Sequence, residues 1–501
     1  VHRRIIAPGV LAAATLLLAI PASAASFTPG APGIGDPYYP ASGNGGYDVS
    51  HYDLRLKYQP TTDLLEGTAT LLATAKQNLS SFNLDLGLKV SEVRVNGKVA
   101  KFAKEGEQEL VVTPAAPLEK GKSLSIVIRY AGKPSEVKIG GFTAWHRTPD
   151  GGVAAQEPDS AAWWFPSNDH PLDKATYDVS VSVPDGSTAI SNGVLQSQSS
   201  KLGWTRFAWR SNKPQASYLA TLAVGKFDVT TDKTASGLPV LNAYSKDLGD
   251  NDGAARASIE RSAEVTEWLE GVFGPYPFNA IGGYVPNVTS GYALETQTRP
   301  FYSPKQFANG ANVSVVVHEL AHQWYGDSVS VHHWKDIWVN EGFARYSQWL
   351  WSEKEGEGTA QELADYAYSS RAADDPFWQV KPGDPGADKQ FDIAVYDRGG
   401  MAIQALRNEV GDEAFFQILK GWPKQYAYGN AKVSDFVKYA EGISKKPLAG
   451  LFDTWLYQPE KPAAAKAAGS KIARGYAAAG VKPAQPKSWK KIAETNSIHE
   501  H

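Results

Sequence analysis

His318, Glu319 and His322 read His-Glu-Leu-Ala-His, and Glu341 follows after eighteen intervening residues. On an α-helix, residues four apart lie one turn apart on the same face, so two imidazoles at this spacing can grip one ion. Glu319, next to His318, points beside such an ion, where a base for a bound water belongs. A carboxylate from a second helix completes a three-ligand set and leaves a fourth position for water, the arrangement of catalytic zinc. The alternative is a buried helix with two packing histidines. The run Val313 to Val317 is mostly apolar and does give the segment the burial of a core helix. Two imidazoles on such a face need partners, and a metal is the simplest one. His332 and His333 do not fit the set. A histidine as third ligand requires a glycine three residues after His322 and a histidine six after it, and Tyr325 and Ser328 stand there. The third ligand is therefore expected to be Glu341, at the start of a second amphipathic helix.

Other features bound the class of protein. His2-Arg3-Arg4, an apolar stretch from Val10 to Ile20 and Ala22-Ser23-Ala24 read as a secretory signal peptide cleaved near Ala24. That stretch is short for a bilayer span, and no later segment is long and apolar enough for one. A Val in first place fits an alternative bacterial start codon. Export and release are the expectation, with an N-terminal anchor as the alternative. There are no cysteines, hence no disulfides and no thiolate ligands. A chain of 501 residues buries enough apolar surface without them. The formal charge of −3 becomes −5 without Arg3 and Arg4 and points away from nucleic acid.

Residues 25–46 read as a Gly- and Pro-rich leader. From Tyr47 to about Val229 the apolar period is two: Tyr52, Leu54, Leu56, Tyr58; Leu124, Ile126, Ile128, Tyr130; Tyr177, Val179, Val181, Val183. Asn96-Gly97 signals a hairpin. This half is expected to be a β domain of sheets with one wet face. From 230 to 460 the pattern turns mainly helical. Helices are predicted over Ser258–Phe273, Thr359–Ala367, Gly399–Val410, Asp412–Gly421 and Ser434–Ile443, the last capped by Ser434. Residues 461–501 are rich in Ala, Lys and Pro. From residue 460 onward eight Lys or Arg face three Glu, a formal +5. They read as a solvated tail, with a loose tether to an anionic envelope as the sharper alternative.

Several segments carry a resemblance. His318 to Asp327 is similar to the zinc helix of the aminopeptidase N and leukotriene hydrolase type of zinc aminopeptidases, the gluzincins. Asn340-Glu341-Gly342-Phe343-Ala344 resembles their third-ligand segment, and Val395-Tyr396-Asp397-Arg398-Gly399-Gly400 their tyrosine segment. Tyr292-Ala293-Leu294-Glu295-Thr296 falls where the family has Gly-x-Met-Glu-Asn. Gln156-Glu157 with Trp164 to Asp169 resembles the substrate strand of the N-domain. The likeness runs from about Gly46 to Pro459 and departs at Tyr292 and Thr296. The chain is also expected to stop near Pro459 without the large helical C-terminal domain of the longest members.

The resemblance implies a multidomain α+β fold: an N-terminal β-saddle domain, a thermolysin-like zinc catalytic domain and a C-terminal helical extension. It implies one Zn²⁺ on His318, His322 and Glu341, with Glu319 as base and Tyr396 as donor to the oxyanion. Glu295 and Glu157 are expected to hold the substrate's α-amino group, while the backbone at Ala293 pairs with an extended peptide. The implied substrates are peptides with a free N-terminus; the signal peptide makes secretion the expectation, and a monomer is expected. Competing readings are a broader metallopeptidase or endopeptidase with the same chemistry, kept open by Tyr292 and Thr296, and a binding protein with a silent zinc site.

Overall fold

The computed structural model describes residues 26–288, 290–463 and 483–496. The proposed signal peptide and most of the basic tail lie outside them. The first half is built on an eight-stranded sheet. Its central strands, Tyr47–Gln59 and Ala175–Pro184, run parallel, and the other pairings are antiparallel. The period-two residues face inward: Tyr52, Leu54, Ile126, Ile128 and Val181 have no exposed surface. A register shift between Val49 and His51 lets Tyr47 and Val49 share that buried face with Tyr52. Asn96 and Gly97, both at positive φ, make the expected turn. Two four-stranded sheets complete this unit.

The second half opens with a five-stranded sheet. The expected boundary at Val229 falls inside its first strand, Phe227–Lys233, which pairs with Pro239–Ser245. Ala293–Leu294 is its edge strand, held only by Phe301–Tyr302 among the described residues. Behind it lie helices packed on a core rich in Trp and Tyr. The first site helix is Val313–His322 and the second is Trp338–Glu355, whose face from Trp338 to Ser352 is wholly buried. The tyrosine helix is Ile393–Val410. Valines have modest helix propensity, so burial of Val315, Val316 and Val317 holds the first site helix in place.

Four expectations need correction. The helix predicted over Ser258–Phe273 is broken into Asp252–Ile259 and Ser262–Phe273, and the Ser262 hydroxyl donates to the Ile259 carbonyl at the break. The tyrosine helix starts at Ile393, before Gly399, capped by Asp392, whose carboxylate accepts from Ala394 N. The helix over Val433–Ser444 is not capped by Ser434. Asp435 reaches back to the Lys432 amide instead. Finally, residues 483–496 of the supposed solvated tail are folded, with Trp489–Asn496 helical and Ile492 only 1 % exposed.

Candidate metal centre

The helical spacing does what it predicts. The rings of His318 and His322 lie 4.8 Å apart between centroids. Glu341, in the first turn of the second site helix, sets its Oε2 3.2 Å from His318 Nε2 and 3.4 Å from His322 Nε2. Ligand atoms of the three residues all lie within 4.8 Å of one another. His322 Nδ1 donates to the Tyr325 carbonyl at 3.0 Å, and His318 Nδ1 donates to Gln348 Oε1 at 3.3 Å. With both Nδ1 hydrogens engaged, the Nε2 atoms are the ones turned toward Glu341, the tautomer a ligand needs.

The electrostatics fit a cation. Burial lowers the pKa of His318 to about 4, which keeps that ring neutral. Burial also opposes charge on His322, but Glu341, Glu295 and Glu319 outweigh it and hold its pKa well above the usual value. Burial works against an ionised Glu341 as well, yet His322 and His318 keep it below the usual carboxylate range. Three carboxylates thus hold positive charge at the place a divalent ion would fill. One oxygen of Glu319, Oε1, is buried without a hydrogen-bond partner, as suits a group whose partner is a reacting water.

A cavity of about 360 Å³ of space free of protein atoms joins these groups. His318, Glu319, His322, Glu341, Ala293, Glu295 and Glu157 all line it, together with Tyr292, Leu294 and Phe391. Tyr218 donates to Glu295 Oε1 at 3.0 Å. Gln323, on the turn after the first site helix, donates to the Glu295 carbonyl and accepts from Thr298 N, fixing the segment that carries Glu295 to that helix. Burial raises the pKa of Glu295, with His322 opposing and Glu341 adding; burial, Glu295 and Glu341 raise that of Glu157. Tyr396 stands against His318, rings 6.0 Å apart and 26° from parallel. Tyr292, where the resembling proteins have Gly, reaches across to the β unit and donates to the Ala155 carbonyl at 2.7 Å. His332 and His333 belong to neither of the two donor groups close enough to hold a metal among the described residues.

Sequence reasoning missed the supports: Tyr218, Gln323, Arg345, Gln348 and Asp397. Arg345 and Gln348 had a signal. They follow Glu341 by four and seven residues, on one helical face. Arg345 donates to Gln348 Oε1 and pairs with Asp397 at 3.1 Å, and Asp397 also binds Arg371 at 2.9 Å.

Comparison with known proteins follows the same outline. The Peptidase M1 N-terminal domain matches residues 49–219, and the Peptidase family M1 domain matches residues 298–455. The glutamyl aminopeptidase of Sus scrofa is 27% identical over 452 residues, which are 82% of this chain and 47% of that protein. The human glutamyl aminopeptidase is 27% identical over 453 residues, 82% and 46% of the two chains. The chain thus spans about half the length of the curated relatives it matches. A solved M1 zinc metallopeptidase from Deinococcus radiodurans, a mutant bound to a Tyr-Ser-Ala substrate, is similar with a TM-score of 0.77 at 29% identity. That likeness covers 86% of this chain and 99% of the other. Its counterpart described without a bound substrate gives 0.76 at 28% identity, covering 86% and 98%. With the His-His-Glu cage assembled between two buried helices and both domain types matched in order, the chain belongs to peptidase family M1.

Proposed function

We propose that this protein is a zinc aminopeptidase that removes residues from the free N-termini of peptides. The observation that carries the reading is one cavity holding the His-His-Glu cage, the buried Glu319 and two further carboxylates, Glu295 and Glu157. A zinc ion on His318, His322 and Glu341 supplies a Lewis acid and makes water acidic enough to react near neutral pH. Glu319 takes the proton of the attacking water and passes one to the leaving amine. Its raised pKa suits a carboxyl that must both accept and release a proton. The Tyr396 hydroxyl donates to the oxyanion of the tetrahedral intermediate. A free α-amino group is largely cationic near neutral pH. Glu295 and Glu157 hold that cation and place the first peptide bond at the cage. The free edge of Ala293–Leu294 accepts the substrate backbone as an added strand.

Two carboxylates beside the cage, Glu295 and Glu157, can pair with a cationic amino group, which supports exopeptidase action over the endopeptidase alternative. Aminoacyl fluorophores should be cleaved, while internally quenched peptides with blocked N-termini should not, and a chelator should abolish cleavage. Glu295→Ala should weaken free-amine substrates selectively. Equal cleavage of blocked and free peptides by the parent enzyme would overturn the aminopeptidase reading. We further infer that the protein is exported and acts as a monomer. N-terminal sequencing of material from the culture medium and sedimentation test these two points. No helix of the described residues is long and apolar enough to cross a membrane.

A further inference from the structure

Residues 483–496 carry more than a folded tail requires. Ser488, Ile492 and Thr495 recur at four and three residues, one face of a helix, and all three are buried. Ser488 meets Ser352 of the second site helix, hydroxyl to hydroxyl, at 2.7 Å. Trp489 packs edge-on against Tyr366, centroids 4.9 Å apart. Lys491 Nζ donates to the Asn309 carbonyl at 3.1 Å, just ahead of the first site helix. Trp489 and Ala493 also line a large groove that shares Glu157 and Phe391 with the metal cavity.

The contact of most consequence is at Thr495. Its hydroxyl donates to the Lys491 carbonyl, 3.3 Å away, which leaves its oxygen to accept from Gln348 Nε2 at 3.3 Å. The Gln348 amide nitrogen has two further acceptors, the Ser314 carbonyl at 3.0 Å and the Ser314 hydroxyl at 2.9 Å. Acceptors around the nitrogen decide which way a carboxamide faces. Here they act together with the Arg345 guanidinium, which can only donate and does so to Oε1, and Oε1 faces His318 Nδ1. A flipped amide would present N–H groups to that ring and favour the tautomer with its hydrogen on Nε2, the wrong atom for a ligand.

We propose that Thr495 is a positioning residue of the metal site. Alongside Arg345 and Ser314 it holds the Gln348 amide that sets the tautomer and direction of His318, so the helix Trp489–Asn496 is a working support of the cage. This rests on the metal reading of the triad but not on the peptidase reading, and zinc affinity separates the two. Zinc affinity of the full chain, measured by competition with a chromogenic chelator, tests it with Thr495→Val and Thr495→Ser. Residues touching a metal-bound histidine typically contribute about 10- to 100-fold in affinity, and Thr495 stands one contact further out, so roughly threefold weakening is expected for Thr495→Val. Thr495→Ser keeps the hydroxyl and should bind as the parent does, both variants melting at the parent's temperature. Parent-like affinity in both variants would overturn the proposal, and so would an equal loss in both, since the hydroxyl would then not be the acting group.

Discussion

Under the proposed function, Glu319 and Tyr396 are ordinary side chains that position turns into reagents. Burial raises the pKa of Glu319 well above the usual carboxyl value, with Glu295 and Glu341 adding and His322 opposing. Glu319→Gln keeps the shape and loses the exchangeable proton. It should bind zinc as the parent does, by metal analysis of the purified protein, and lower turnover by about 100- to 10,000-fold. Parent-like turnover would remove Glu319 from proton transfer. Tyr396 is buried against His318, with the Arg345 guanidinium 5.7 Å from its ring centre. Its hydroxyl is expected to act only once charge develops on the substrate oxygen. Tyr396→Phe should therefore lower kcat by about 100- to 1,000-fold and leave KM nearly unchanged. A rise in KM at constant kcat would instead make it a binding group.

The helices explain what was legible in the sequence and what was not. The cage was legible because its spacing repeats the helical period, and Glu341 because the next helix begins beside it. The strands were legible because one face is wet, and alternation of Leu124, Ile126, Ile128 and Tyr130 records that face directly. The start of the tyrosine helix was not, because Gly399-Gly400 reads as a break. The structure gives those glycines another task. A Cβ at Gly399 would stand 2.6 Å from the Trp338 ring and 3.2 Å from the Gly342 backbone, so the pair lets two buried helices touch. Nor did composition reveal the packed segment at residues 483–496: its Lys-rich text hides buried positions such as Ser488, Ile492 and Thr495. Gly399→Ala tests the helix contact with opposing expectations. Propensity alone would stabilise a helix by about 1 kcal/mol, but the clash involves a buried indole and backbone, and overpacking of that kind costs about 1–3 kcal/mol. We expect net destabilisation in urea unfolding, with weakened zinc binding, because Gly342 adjoins Glu341. A more stable variant would show that the two helices can part without cost.

At the scale of the whole molecule, the β unit must stay seated on the catalytic unit for Glu157 to share a cavity with the cage. Lys174, at the lip of the strand Ala175–Pro184, crosses that seam. Its Nζ donates to the carbonyls of Asp327 and Ser328 at 3.0 Å each and of Gly429 at 2.8 Å. Asp327 and Ser328 lie just beyond the first site helix, so one ammonium ties the β unit to the segment that carries the metal ligands. Burial lowers its pKa to about 7, with Asp327 opposing. An unfolded chain holds the same proton to about pH 10.4. Between those values the unfolded state binds more protons than the folded one, so this group makes stability rise with pH there, by up to about 1.4 kcal/mol per pH unit. Below about pH 7 both states hold the proton, and the contribution is flat. Lys174→Met removes the titration and the shared donor; Gly429 O keeps the Ser330 amide and Asp327 O the Ser330 hydroxyl, so the cost is about 1–3 kcal/mol for the Ser328 carbonyl. The parent's advantage over Lys174→Met, from urea unfolding, should therefore widen as pH rises from about 7 toward 10. A constant difference across that range would mean that Lys174 keeps its proton in the folded protein, with the three carbonyls prevailing over burial.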